Sequence, residues 1–172
     1  MPLITISSSD ERFAADAYDF ASKSEMLAQL GCVAVVGGKI VARGCNHYRT
    51  FSKDGLIQNC CSCHAEIDVL RKCKKQNINN KINLYISRRS RRRHNIDDKL
   101  YMNSTPCINC YEAMKDFNIK YIIFTNSNGE LEKTRFVELL CIHETSGRRA
   151  ITEKRLTTHC PPPYPHYTHF IK

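Results

Sequence analysis

The sequence predicts an α/β fold: a single-domain αβα sandwich, with one five-stranded mixed sheet and helices on both faces. Three observations carry this. Runs with apolar residues at three- and four-residue steps alternate along the chain with short β-branched runs. The elements come in the order helix, strand, strand, helix, strand, helix, strand, strand, an order that closes one sheet between helical layers. A chain of 172 residues with a hydrophobic fraction of 42% suits one domain with one sizeable core.

Residues 10–30 carry Phe13, Ala14, Ala17, Phe20, Ala21, Met26, Leu27 and Leu30 at helical spacing, with Ser9 or Asp10 as the cap and Gly31 as the stop. Residues 32–36 and 40–45 are apolar, β-branched runs joined by Gly37-Gly38, so they form a hairpin. Residues 46–62 are a loop. Residues 63–75 form the second helix, with Ile67, Leu70 and Cys73 on one face and Arg71, Lys72 and Lys74 on the other. Residues 82–87 are the third strand and 88–100 a polar, basic insert. Pro106 opens a helix to about Phe117, residues 119–125 are the fourth strand, and residues 130–137 form a fifth, antiparallel to the fourth. A helix and a basic stretch occupy 138–155. Residues 1–145 are thus expected to form the folded domain. Residues 146–172 form a basic, proline-rich tail, where Pro161-Pro162-Pro163 and Pro165 exclude helix and central strand.

Composition narrows the function classes. No window reaches the roughly 18 consecutive apolar residues of a membrane helix, and the N-terminus does not read as a secretory signal. The expected compartment is the cytoplasm, or the nucleus, where the ten cysteines are free thiols or metal ligands. A formal charge of +9 suits phosphate-bearing partners, although a solubility charge without a partner accounts for it equally well.

Two segments carry the chemistry: Cys63-His64-Ala65-Glu66 and Pro106-Cys107-Ile108-Asn109-Cys110, each expected at a helix start. Two cysteines three apart on the first turn of a helix face the same way. A helix N-terminus lowers thiol pKa, which favours ligation of a metal. Cys-x-x-Cys alone also describes a redox pair. His64 adds a third ligand, and three protein ligands leave one tetrahedral position for water, as catalytic zinc sites do. Glu66, two residues on, is close enough to exchange a proton with that water without ligating. His-x-Glu with Pro-Cys-x-x-Cys is the signature of zinc deaminases. Taken singly, each residue also has a plain reading as a surface histidine, a first-turn acid or a core cysteine.

On these residues the sequence resembles the cytidine/deoxycytidylate deaminase superfamily over roughly residues 10–140. The resemblance implies a five-stranded mixed sheet sandwiched by helices, zinc on His64, Cys107 and Cys110, and a proton shuttle at Glu66. It places Asn46 against the sugar and the Ala65 backbone against the pyrimidine ring. Cys63 before His-Ala-Glu looks like deoxycytidylate deaminases. Thr105 before Pro-Cys stands where adenosine-acting tRNA deaminases carry glutamate, nearer the cytosine-acting members. An antiparallel fifth strand is the arrangement of free-nucleoside deaminases.

The insert, with Arg88, Arg89, Arg91, Arg92, Arg93 and His94, has three readings: a solvated loop, a clamp on one nucleotide phosphate, or a contact to RNA or single-stranded DNA. Cys60, Cys61, Cys45 and His47 are candidates for a second zinc. The leading expectation is a zinc-dependent hydrolytic deaminase converting cytosine to uracil on a nucleotide such as dCMP or CMP. In that reading Glu66 is catalytic, and Asn46, Ala65, Thr105, Arg88 and Arg89 bind substrate. The alternatives are a deaminase of bases in RNA or single-stranded DNA, and a catalytically silent, zinc-stabilised nucleic-acid-binding relative. A homo-oligomer is compatible with either; a membrane partner is not expected.

Overall fold

A computed structural model of the chain describes residues 4–89 and 101–156. Its helices are α1 (Ser8–Ala21), α2 (Ala65–Lys75), α3 (Ile108–Met114) and α4 (Ser146–Thr152). Its strands are β1 (Gln29–Val36), β2 (Lys39–Cys45), β3 (Ile82–Arg89), the two-residue β4 (Tyr101–Met102), β5 (Ile119–Thr125) and β6 (Leu131–Arg135). The sheet runs β2-β1-β3-β5-β6, with β4 added beside the end of β3. Only β3 and β5 are parallel; the other pairs are antiparallel, so the sheet is mixed as expected.

Side-chain alternation sorts the core into two layers. Val33 and Val35, Tyr85 and Ile123 face α1, where they meet Phe13 and Ala17. Cys32 and Ala34, Leu84 and Ile86, Ile122 and Phe124 face the other way, onto the layer holding α2 and α3. Among the described residues no helix is long and apolar enough to cross a membrane.

The first helix is shorter than its apolar spacing suggests. Ser7 caps it in a reciprocal capping box with Asp10, and α1 ends at Ala21. Leu30, read as the helix's last apolar position, lies in β1 instead. The periodicity of Met26, Leu27 and Leu30 was accidental: Ser24, Gln29 and Asn46 hold residues 24–30 by side-chain hydrogen bonds that no helix uses. The third strand is longer than expected, and Arg88 and Arg89 belong to it rather than to a loop. The remaining insert arginines, Arg91, Arg92 and Arg93, lie outside the described residues. The last helix of the described chain occupies Ser146–Thr152, inside the 138–155 range where a helix was expected although 146 onward was also read as tail, and Thr145 caps it.

Gly44 sets the distance between β2 and α2. A Cβ there would lie 2.8 Å from both Asp68 Oδ2 and Val69 Cγ2 and 3.0 Å from the Ala65 carbonyl oxygen. Only glycine lets the first turn of α2 sit that close to the end of β2.

Candidate active site

The site forms at the carboxyl ends of the parallel pair β3 and β5, where open α/β sheets present their crevices. Ser104 anchors the approach. Its Oγ donates to the Ile86 carbonyl at 2.7 Å, accepts from the Thr125 backbone N–H at 2.9 Å and lies 2.8 Å from Thr125 Oγ1. That tie fixes the chain just before Thr105, Pro106 and Cys107. On the other side, the antiparallel bridge between His47 and Cys63 fixes the chain before His64.

His64 and Cys107 both occupy N-cap positions, one residue ahead of α2 and α3, and neither side chain caps its helix. An N-cap residue is extended, so its side chain leaves the helix axis and is free for another partner. These two turn toward each other. His64 Nδ1 lies 3.4 Å from Cys107 Sγ and 3.2 Å from Cys110 Sγ. The three ligand atoms lie within 4.8 Å of one another, the one such group of His, Cys, Asp or Glu among the described residues. Cys45, His47, Cys60 and Cys61 form no comparable group there.

The electrostatics follow from burial and proximity. The Cys110 thiol, hydrogen-bonded to the Cys107 sulfur, favours the Cys107 thiolate. With His64 beside it, Cys107 is brought down to about 4. Burial opposes charge on His64, but the hydrogen bond to Cys107 and the charges of Glu66 and Cys107 outweigh it and hold the imidazole at about 9. Cys110, which donates to the Cys107 sulfur and is fully buried, is pushed well above the usual thiol range. One soft anion, one imidazole and one further thiol in a closed triangle form a donor set suited to zinc.

Glu66 sits in the first turn of α2, 3% exposed, and burial raises its carboxyl. Its Oε2 is buried with no hydrogen-bond partner. A buried acceptor left open in this way is costly unless something else occupies the site. Glu66 lines a cavity of about 680 Å³, within the usual range for small-molecule sites.

Of the residues expected to bind substrate, Asn46, Ala65, Thr105 and Arg88 line this cavity. The Asn46 amide is also engaged within the chain: Oδ1 accepts from the Leu30 N–H at 2.9 Å and Nδ2 donates to the Ala28 carbonyl at 2.7 Å. Thr105 Oγ1 donates to Asn103 Oδ1 at 2.7 Å. Arg89 is not brought to the cavity. Being one residue past Arg88 on a strand, it faces the α1 side, where its guanidinium lies 5.6 Å from the Tyr18 ring centre. Sequence reasoning missed the wall made by residues 143–149, which lines the same cavity. It is tied on by the Ile108 N–H, which donates to the His143 carbonyl at 2.8 Å. No motif in the sequence marks that wall.

Residues 7–126 match the family model of the cytidine and deoxycytidylate deaminase zinc-binding region. The chain therefore belongs to this family of zinc deaminases, and zinc is its cofactor. Among solved structures it is similar to dCMP deaminase from the cyanophage S-TIM5 in its apo form. The identity is 19%, over 73% of this chain and 89% of that one, with a TM-score of 0.50. It is also similar to cytidine deaminase from Burkholderia pseudomallei, with 16% identity, 81% of this chain and 100% of that one covered, and a TM-score of 0.56. Both likenesses show the deaminase fold. A comparison with curated proteins finds no match.

Proposed function

We propose that the protein is a hydrolytic deaminase converting cytosine to uracil on a nucleotide such as dCMP or CMP. The observation that carries this reading is the closed triangle of His64, Cys107 and Cys110 beside the unpartnered Oε2 of Glu66. The three ligands would hold zinc, which as a Lewis acid makes water nucleophilic near neutral pH. In the overall reaction, oxygen from water adds at C4 of the base, the C4–N bond breaks and ammonia leaves. Glu66 takes a proton at Oε2 and returns it to the departing amine. Ala65, Thr105 and Asn46 line the same cavity; by the family resemblance the Ala65 backbone would meet the base and Asn46 the sugar.

A proton shuttle is of no use to a metal site kept only for folding, so Glu66 speaks against the silent relative. The cytosine reading rests on Thr105, which stands before Pro-Cys in place of glutamate. The nucleotide reading rests on Cys63 before His-Ala-Glu and on the chain's charge of +9.

A panel of dCMP, CMP, cytidine, adenosine and single-stranded oligonucleotides, read by ammonia release, tests it. Turnover of a cytosine mononucleotide above all others supports the reading. Turnover confined to adenosine or to oligonucleotides rejects it.

A further inference from the structure

The arginines of the described chain divide into two groups. Arg43, Arg71, Arg135 and Arg155 pair with carboxylates, Arg49 donates to the Phe51 carbonyl, and Arg12 and Arg89 lie over aromatic rings. Arg88, Arg148 and Arg149 have no such side-chain partner among the described residues. All three line the one cavity that holds Glu66 and the His64–Cys107–Cys110 triangle. Arg88 enters from β3, on the same face as Leu84 and Ile86, and its Nε is buried without a hydrogen-bond partner. Arg148 and Arg149 enter from α4, which lies beyond the residues 7–126 that the family model covers. The two carboxylates lining the cavity, Glu66 and Glu144, form no ion pair with any of the three.

An unpaired guanidinium facing a cavity is a donor set without an acceptor, and three together ask for a multivalent anion. Guanidinium forks match the oxygens of a phosphate. The volume of about 680 Å³ suits one nucleotide, and a concave enclosure suits a single ligand better than a continuous strand, which needs an open groove.

We propose that Arg88, Arg148 and Arg149 form a clamp for the phosphate of a nucleoside monophosphate, and that α4 thereby sets substrate choice at this site. The proposal rests on the deaminase reading above and adds the residues that distinguish a nucleotide from a nucleoside. Arg148 and Arg149 sit on the wall held in place by two contacts. These are the Ile108–His143 backbone hydrogen bond and the approach of Cys61 Sγ to the Gly147 carbonyl at 3.8 Å.

The test compares the zinc-loaded full chain with Arg148→Ala/Arg149→Ala and, separately, Arg88→Gln. Folding is checked by circular dichroism. For the wild type, kcat/KM is expected to favour dCMP over deoxycytidine by about tenfold or more, the worth of one or two charge-assisted contacts. The double variant should lose most of that preference through a raised KM for dCMP, and Arg148→Lys/Arg149→Lys should recover part of it. An unchanged dCMP-to-deoxycytidine ratio in both the double variant and Arg88→Gln overturns the clamp. So does a loss of oligonucleotide affinity with no change for dCMP, which would assign the arginines to a strand. If the wild type deaminates no cytosine substrate, the deaminase reading fails by itself, and calorimetric titration with UMP and uridine still decides the clamp. Tighter binding of UMP that disappears in the double variant sustains it; equal binding of the two overturns it.

Discussion

His64 Nδ1 and Cys110 Sγ lie 3.2 Å apart although 46 residues separate them in the chain. They meet because the helices that begin beside them, α2 and α3, start at the same end of the sheet on the same face. No local interaction in either segment would bring them together. Removing one ligand should therefore be felt both in metal content and in the packing between the two helix starts. We predict that Cys107→Ala and Cys110→Ala lose most of the bound zinc by elemental analysis and melt at lower temperature than the wild type. Chelation of the wild-type zinc should likewise lower Tm, because an ion that binds only the native state stabilises it by mass action. Full zinc content in the triple alanine variant of His64, Cys107 and Cys110 would put the metal elsewhere.

Glu66 makes a separable prediction. Its Oε2 is buried and unpartnered, so Glu66→Gln keeps shape and volume while removing the basic group. Zinc content and Tm should stay close to wild type. Turnover should fall by about 10²–10⁴-fold, the usual range for general acid–base catalysis. Activity within a few-fold of wild type would hand the proton transfer to another residue.

The two motifs were legible because they are local: a residue and its neighbours two or three positions away fix their own geometry once a helix begins. The sheet was legible for the same reason, since β-branched runs and glycine turns speak for themselves. The extent of α1 was not, because the apolar spacing of Met26, Leu27 and Leu30 continues past the true end. The chain there is held by Ser24 and Asn46, whose partners lie far away in sequence. The alternation that separates Arg88 from Arg89 becomes visible only once both are known to be in a strand. A helix within 138–155 was legible, but nothing in the sequence placed the wall at residues 143–149 against the cavity. The wall joins an irregular stretch to the first turn of α4, and its place depends on contacts distant in sequence, the backbone bond from Ile108 to His143 and the approach of Cys61 Sγ to the Gly147 carbonyl.

Asp10 predicts a pH dependence of stability. Burial alone would raise its carboxyl, but Lys133 Nζ at 2.8 Å, the Ser7 N–H and hydroxyl, and the Tyr85 hydroxyl outweigh that and bring it to about 2, from a usual 3.8. A depressed carboxyl stabilises the fold where it is ionised. The contribution is whole above about pH 4 and fades as pH falls toward 2. It amounts to about 2 kcal/mol by linkage. Urea unfolding of wild type and Asp10→Asn should differ by at least that much at pH 7, and the gap should narrow below pH 4. Any loss of zinc in acid is common to both proteins and cancels in the difference. A gap that stays constant from pH 7 to pH 3 would mean that Asp10 acts through packing rather than charge.

Gly44 connects the fold to the site. The space its missing side chain leaves is filled by Asp68, Val69 and the Ala65 carbonyl, all within the first turns of α2. Asp68 Oδ2 is held there by Lys72 Nζ at 2.8 Å, so it does not swing away freely. In Gly44→Ala the new methyl would meet two groups at 2.8 Å, and one of them, Val69, is fully buried. The helix has to move by a fraction of an ångström, and it carries Glu66 and is preceded by His64. Overpacking of this kind costs about 1–3 kcal/mol. A small displacement of catalytic groups is amplified in rate, up to about 10²-fold for 1 Å. Gly44→Ala should therefore lower both Tm and kcat, whereas Gly38→Ala, in a turn with open space around it, should leave kcat alone. Zinc content should be read beside kcat, because a shift of α2 carries His64 and Glu66 together against Cys107 and Cys110 at the start of α3. Wild-type kcat in a folded Gly44→Ala protein would show that α2 has slack at this contact and that its position is set elsewhere.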